Sequence, residues 1–160
     1  MRKSYFVPLC VLLLGLAARA QKVDTKWSCS KPAQNPMLAV GDVPDHSYAL
    51  AQGTCNATAG TAGEKSGAYT EFDETWKERH TGHGRFNVTM DNGDMVYYVY
   101  ETMGSADLKK PASNKWRIVN GTGKYKGMKG SGSCKGTRHE DGSSEWECTG
   151  ATSMGNATKS

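Results

Sequence analysis

GSGSCKGTRHEDGSSEWECTG, residues 130–150, places two cysteines at equal distance from a central Asp141. The loop Glu140-Asp141-Gly142 suits a type I turn followed by glycine in the left-handed region, a common hairpin connection. Pairing then runs outward symmetrically from Asp141. Cys134 faces Cys148 and Gly136 faces Trp146 on one side; Lys135 faces Glu147, Thr137 faces Glu145 and Ser133 faces Thr149 on the other. One register therefore yields a bridgeable cysteine pair, an indole over a glycine and an oppositely charged outer pair. A slip of one residue loses all three, because strand side chains alternate with a period of two.

The rest of the chain agrees with a sheet. Glycine is abundant (19 of 160 residues), and Thr, Ser, Tyr and Val fill short alternating runs bounded by Gly, Asn and Asp. No stretch has helical periodicity. The runs predict strands over 46–56, 66–80, 83–91, 94–103, 114–120, 130–139 and 143–151. Asn92-Gly93 in MDNGDMVYY is a hairpin signal. Residues 21–45, with Pro32, Pro36 and Pro44, read as an extended lead-in; 46–152 read as one β domain and 153–160 as a flexible tail.

Residues 1–20, MRKSYFVPLCVLLLGLAARA, have the form of a cleaved signal peptide: Arg2 and Lys3, an apolar run from Phe6 to Leu16, then Ala18-Arg19-Ala20. The apolar run is short for a membrane span. Cleavage near Gln21 removes three of the 20 basic residues, leaving 17 against 16 acidic ones. A near-neutral chain gives no electrostatic case for nucleic acid or a membrane surface as partner. Cys10 leaves with the signal, and the four remaining cysteines read as a disulfide framework in a secreted or periplasmic protein. With Cys134 paired to Cys148, elimination pairs Cys29 with Cys55.

WRIVNGTGKYKGMKGSGSCKG, 116–136, and GHGRFNVTMDNGDMVYYVYE, 82–101, resemble a signature of small bacterial proteins related to the allene oxide cyclase-like β-barrel family. The resemblance implies an all-β fold, an antiparallel β-barrel of about eight strands, with an interior ligand cavity. It transfers no catalytic residue. GTGKYKG itself lacks both the dinucleotide and the P-loop spacing, so it reads as a barrel corner with solvated Lys124, Lys126 and Lys129, and no cofactor is expected.

The candidate site is drawn from strand parity. In YTEFDETWKERH, the even positions are Phe72, Glu74, Trp76, Glu78 and His80; this face carries the large apolar groups Phe72 and Trp76, so it is expected inward. The odd positions hold Tyr69, Glu71, Asp73, Thr75, Lys77 and Arg79. Glu74 between two aromatics would have a raised pKa and is the candidate general acid or base. Tyr48, Trp76, Tyr98 and Trp116 are the candidate ligand-binding aromatics, with Tyr100 and Trp146 on the same expected faces. HTGH spaces His80 and His83 at an expected turn, where His46 or Glu78 could join them, but the spacing is common and no metal is expected. Asn56, Asn87, Asn120 and Asn156 stand in glycosylation sequons. The expected function is an exported barrel binding an apolar or aromatic small molecule, as an isomerase or cyclase if it is an enzyme. The alternative is a non-catalytic carrier or envelope protein with a filled barrel.

Overall fold

The structure is a computed structural model that describes residues 20–154. Nine strands follow in chain order: β1 (Gln21–Cys29), β2 (Met37–Ala39), β3 (His46–Gly60), β4 (Glu64–Trp76), β5 (Arg79–Met90), β6 (Met95–Ser105), β7 (Ala112–Gly121), β8 (Met128–Arg138) and β9 (Ser144–Met154). Neighbours are antiparallel in the order β1-β9-β8-β7-β6-β5-β4-β3, and β1 also pairs with β3. The sheet thereby closes into an eight-stranded barrel, with β2 taking the part of the β3 edge that β1 does not reach. Closure removes the free edges that an open sheet would expose.

The last hairpin has the register read from the sequence, including Cys134 opposite Cys148, Gly136 opposite Trp146 and Lys135 opposite Glu147. Its turn is closed by His139 N–H donating to the Ser143 carbonyl at 2.9 Å, with Gly142 at φ 87°. A Cβ on Gly136 would lie 2.5 Å from the Trp146 ring, so only glycine admits that indole. Glu147 takes its salt bridge from Lys26 of β1, at 2.6 Å. Both disulfides, Cys134–Cys148 and Cys29–Cys55, are formed, and all four cysteines are buried inside the barrel.

The lead-in expectation needs correcting at residues 21–29. They form β1, which pairs with β9 from Gln21–Thr152 to Cys29–Ser144 and seals the barrel. The reason is plain alternation: Val23, Thr25, Trp27 and Cys29 are buried, while Lys22, Asp24, Lys26 and Ser28 are exposed. The tail expectation shifts as well, since β9 continues to Met154. Residues 1–19, with most of the signal expectation, and 155–160, with Asn156, lie outside the described residues. Among the described residues no helix is long and apolar enough to cross a membrane.

The two ends of the barrel differ. At one, Val88, Met90, Val96, Ile118 and Met128 pack to 8% exposure or less. Tyr125, from a 3-10 turn at Gly123–Tyr125 in the GTGKYKG corner, joins this cluster. Lys124, Lys126 and Lys129 around it are exposed, as expected of a corner. The other end stays open, and the site lies there.

Candidate functional site

The face of β4 that points inward is set by a turn with no glycine or asparagine in it. β4 and β5 meet at Lys77-Glu78, where Lys77 takes φ 55°, and Trp76 pairs with Arg79. On β4 the odd residues Tyr69, Glu71 and Asp73 face the interior, where they line the cavity. Phe72 and Trp76 are each 49% exposed on the outside. Glu74 lies outside with them: it accepts a hydrogen bond from Tyr48 Oη at 3.3 Å, and its Oε1 is 3.0 Å from His46 Nε2. The inward placement expected of Glu74, Tyr48 and Trp76 is therefore corrected. They form an outer cluster in which Trp76 stacks on His46 at 5.1 Å and Tyr48 on Phe72 at 5.3 Å. Choosing the more apolar face as the inner one fails here because the inner face carries a polar site. Tyr98 and Trp116 do line the interior, meeting edge to face at 5.6 Å.

The histidine pair also separates. Because β5 begins at Arg79, His80 and His83 lie within a strand and point to opposite faces. His80 enters the cavity beside Asp73, with its Nε2 3.2 Å from Asp73 Oδ1 and its Nδ1 3.3 Å from Thr75 Oγ1. His83 lies on the outside, so the two do not converge.

The cavity has a volume of about 320 Å³ and reaches the open end. Tyr69, Phe86, Tyr98, Tyr100 and Trp116 give it aromatic walls; Glu71, Asp73, His80, Thr102, Asn114 and Arg138 give it a polar end. Six buried side-chain polar atoms among the described residues have no hydrogen-bond partner in the chain: Glu71 Oε1, Asp73 Oδ1, Thr102 Oγ1, Asn114 Oδ1, Trp116 Nε1 and Arg138 Nε. All six belong to residues lining this cavity. Asp73 Oδ1 approaches His80 but is poorly aligned with its N–H direction. An unpaired buried polar group costs about 1–3 kcal/mol, so such a concentration calls for partners from within the cavity, supplied by a ligand or by ordered water.

The polar end of the cavity brings ionisable groups together. Desolvation by burial, then the nearby Asp73 charge, push the Glu71 carboxyl up to about 7. The Thr102 hydroxyl, the His80 charge and the Tyr100 phenol oppose that rise. Tyr100 Oη donates to Glu71 Oε2 at 3.3 Å. Gly82 lies beneath the pair: a Cβ there would meet Glu71 Oε1 and come within 2.6 Å of Asp73 Oδ1, so glycine makes room for both carboxyls. Burial pushes Tyr69 up to about 12 and raises Tyr98 and Tyr100 as well, so all three remain neutral hydrogen-bonding groups at physiological pH. Burial lowers the Arg138 pKa against the opposing pull of Asp73 and Glu71. A carboxyl near neutrality among neutral donors can both give and take a proton.

Parity reasoning put Glu71 and Asp73 on the outer face and His80 on the inner face of the preceding strand; Thr102, Asn114 and Arg138 were not named by it. For Thr102, Asn114 and Arg138 the signal is strand parity, which they share with Tyr98, Trp116 and Cys134; for Glu71, Asp73 and His80 it depends on the Trp76–Arg79 turn, which no glycine or asparagine marks. Once it is fixed, the odd residues of β4 and the even residues of β5 share one face.

No family model matches the chain, and no curated protein does. Among solved structures, the chain is similar to the pterocarpan synthase dirigent protein GePTS1, with a TM-score of 0.53 and 12% sequence identity. The match covers 95% of this chain and 99% of that one. At this identity the likeness is one of fold alone.

Proposed function

We propose that this protein is an exported barrel that binds a small organic molecule with an aromatic body and an oxygen-bearing end, and rearranges it to an isomer with Glu71 as general acid and base. The observation that carries this reading is the convergence of six unpartnered buried polar atoms on one aromatic-walled cavity. Two further features support it. The barrel is similar in fold to a dirigent protein named as a pterocarpan synthase. Two buried disulfides suit an oxidising compartment, and residues 1–20 have the composition of an export signal.

The step suited to the site is an intramolecular addition or a proton shift. The Glu71 carboxyl gives its proton to the substrate atom that gains electron density, and the carboxylate then takes one from the atom that loses it. Substrate and product are isomers, so atoms and electrons balance without oxidant or water. Tyr100 steadies the carboxylate between the two transfers. The aromatic walls hold the reacting ends together, which converts a random encounter into an oriented one.

The test is native mass spectrometry of protein exported by its own host, followed by turnover of the released compound. A retained organic mass that the protein converts to an isomer supports the reading. A retained mass left unchanged makes the protein a carrier. A bare chain from freshly exported material overturns the binding reading itself.

A further inference from the structure

We propose that Arg138 makes the cavity selective for an anionic ligand, one whose carboxylate or similar oxyanion sits at the open end against the guanidinium. The proposal rests on the barrel cavity being the ligand site, and it adds the charge class of the ligand.

Arg138 is the last residue of β8, at the open end. Its Nη2 donates to the backbone carbonyl of Ser105 on β6, which fixes the guanidinium across the mouth. Its Nε has no partner, and among the described residues Arg138 makes no ion pair. Half-buried cations in folded proteins are normally paired, because leaving water is expensive for a charge without a counter-ion. Guanidinium has five N–H donors in a fork that matches a carboxylate, and the Ser105 carbonyl occupies one of them. Two further unpartnered donors, Trp116 Nε1 and the Thr102 hydroxyl, line the same cavity.

The acidic residues answer the objection that Arg138 simply neutralises them. Asp73, Glu71 and Asp107 face the guanidinium and favour its charge, yet none stands within ion-pair reach. Glu71 is half protonated near neutrality, so it offers little repulsion to an anion until the pH rises. Asp73 keeps the His80 imidazole beside it. An anion bound at Arg138 would favour the protonated form of Glu71, so binding and proton uptake are linked.

The experiment uses two fluorescent probes with the same aromatic body: phenylnaphthylamine, which is neutral, and anilinonaphthalene sulfonate, which carries an oxyanion. Both are titrated into the intact mature protein and into Arg138→Gln and Arg138→Lys, with thermal melts to confirm folding. Wild type should bind the sulfonate at least about tenfold more tightly than the neutral probe, the range of one hydrogen bond to a charged group. Arg138→Gln should remove that preference and leave the neutral probe within about twofold, whereas Arg138→Lys should retain part of it. Sulfonate affinity should fall between pH 6 and pH 8, either side of the Glu71 value of about 7, and this fall should vanish in Glu71→Gln. Equal affinities in wild type, or a sulfonate preference that survives Arg138→Gln, would overturn the anion assignment while leaving the cavity as a ligand site. If neither probe binds, the cavity reading fails and the assignment falls with it.

Discussion

Glu71 and Glu74 share a strand and a side chain, and their surroundings have little else in common. Glu74, on the outer face of β4, lies against His46 and accepts a hydrogen bond from Tyr48, while Asp42 holds the other nitrogen of His46 at 2.7 Å. Glu71, on the inner face, has one oxygen held by Tyr100 and the other unpartnered in a cavity. The aromatics are divided the other way from a simple oil-drop picture, with Phe72 and Trp76 half exposed around the satisfied carboxylate. Where polar groups are completed by the chain, they serve the fold. Where they are left incomplete behind aromatic walls, they are the groups on which the proposed ligand site rests.

The largest effect that would test this contrast is on turnover. With the host-retained compound as substrate, Glu71→Gln should reduce kcat by about 10²–10⁴, the usual contribution of a positioned acid or base. Glu74→Gln should leave it within about twofold of wild type, and equal losses would erase the distinction between the faces. Next comes stability. Trp116 is 8% exposed and packs in the interior, so Trp116→Ala should cost about 3–5 kcal/mol in urea unfolding. Trp76→Ala on the outside should cost about 1 kcal/mol. A Trp76 loss as large as that of Trp116 would mean that the outer cluster is part of the core after all.

A subtler test follows from protonation. The Glu71 carboxyl is raised in the fold from 4.5 to about 7, so the folded state holds a proton that the unfolded state has already released. Its contribution to stability should therefore be complete below about pH 4.5 and be lost, by at most about 3 kcal/mol, as the pH rises through about 7. Glu71→Gln should flatten that slope. His46 is shifted upward too, chiefly by its hydrogen bond to Asp42 and against a smaller desolvation effect. Its contribution is complete below its unfolded value of 6.5 and is lost as the pH climbs through the higher folded value. This smallest effect should disappear in His46→Gln and persist in Glu71→Gln, which separates the two faces by pH window alone.

Much of the barrel was legible from residues 130–150, because a glycine, an indole, two cysteines and a loop all required one register. The Asn92-Gly93 turn was equally legible, with Gly93 at φ 85° as its turn demands. β1 was readable in the alternation of Val23, Thr25, Trp27 and Cys29, but the prolines that follow drew the whole segment into an irregular lead-in. The site was less legible for a physical reason. Lys77 adopts a conformation usually left to glycine or asparagine, so the turn that flips parity between β4 and β5 carries no sequence mark. Without it, His80 was assigned to the wrong strand. The inner face of β4 also looks like a surface, since Glu71 and Asp73 read as solvent-facing charges.

The pairing of β1 with β9 has a consequence for assembly. Gln21 lies opposite Thr152, so one wall of the chamber is built from segments at nearly opposite ends of the described chain. Contacts so distant in sequence form late, and barrels dominated by them fold on the order of milliseconds to seconds. During synthesis β1 emerges first and must wait for its main partner. The Cys29–Cys55 bridge spans a sequence separation of only 26 and fastens β1 to β3 in the meantime. It acts as a placeholder, holding the first stave of the barrel upright until the last one arrives.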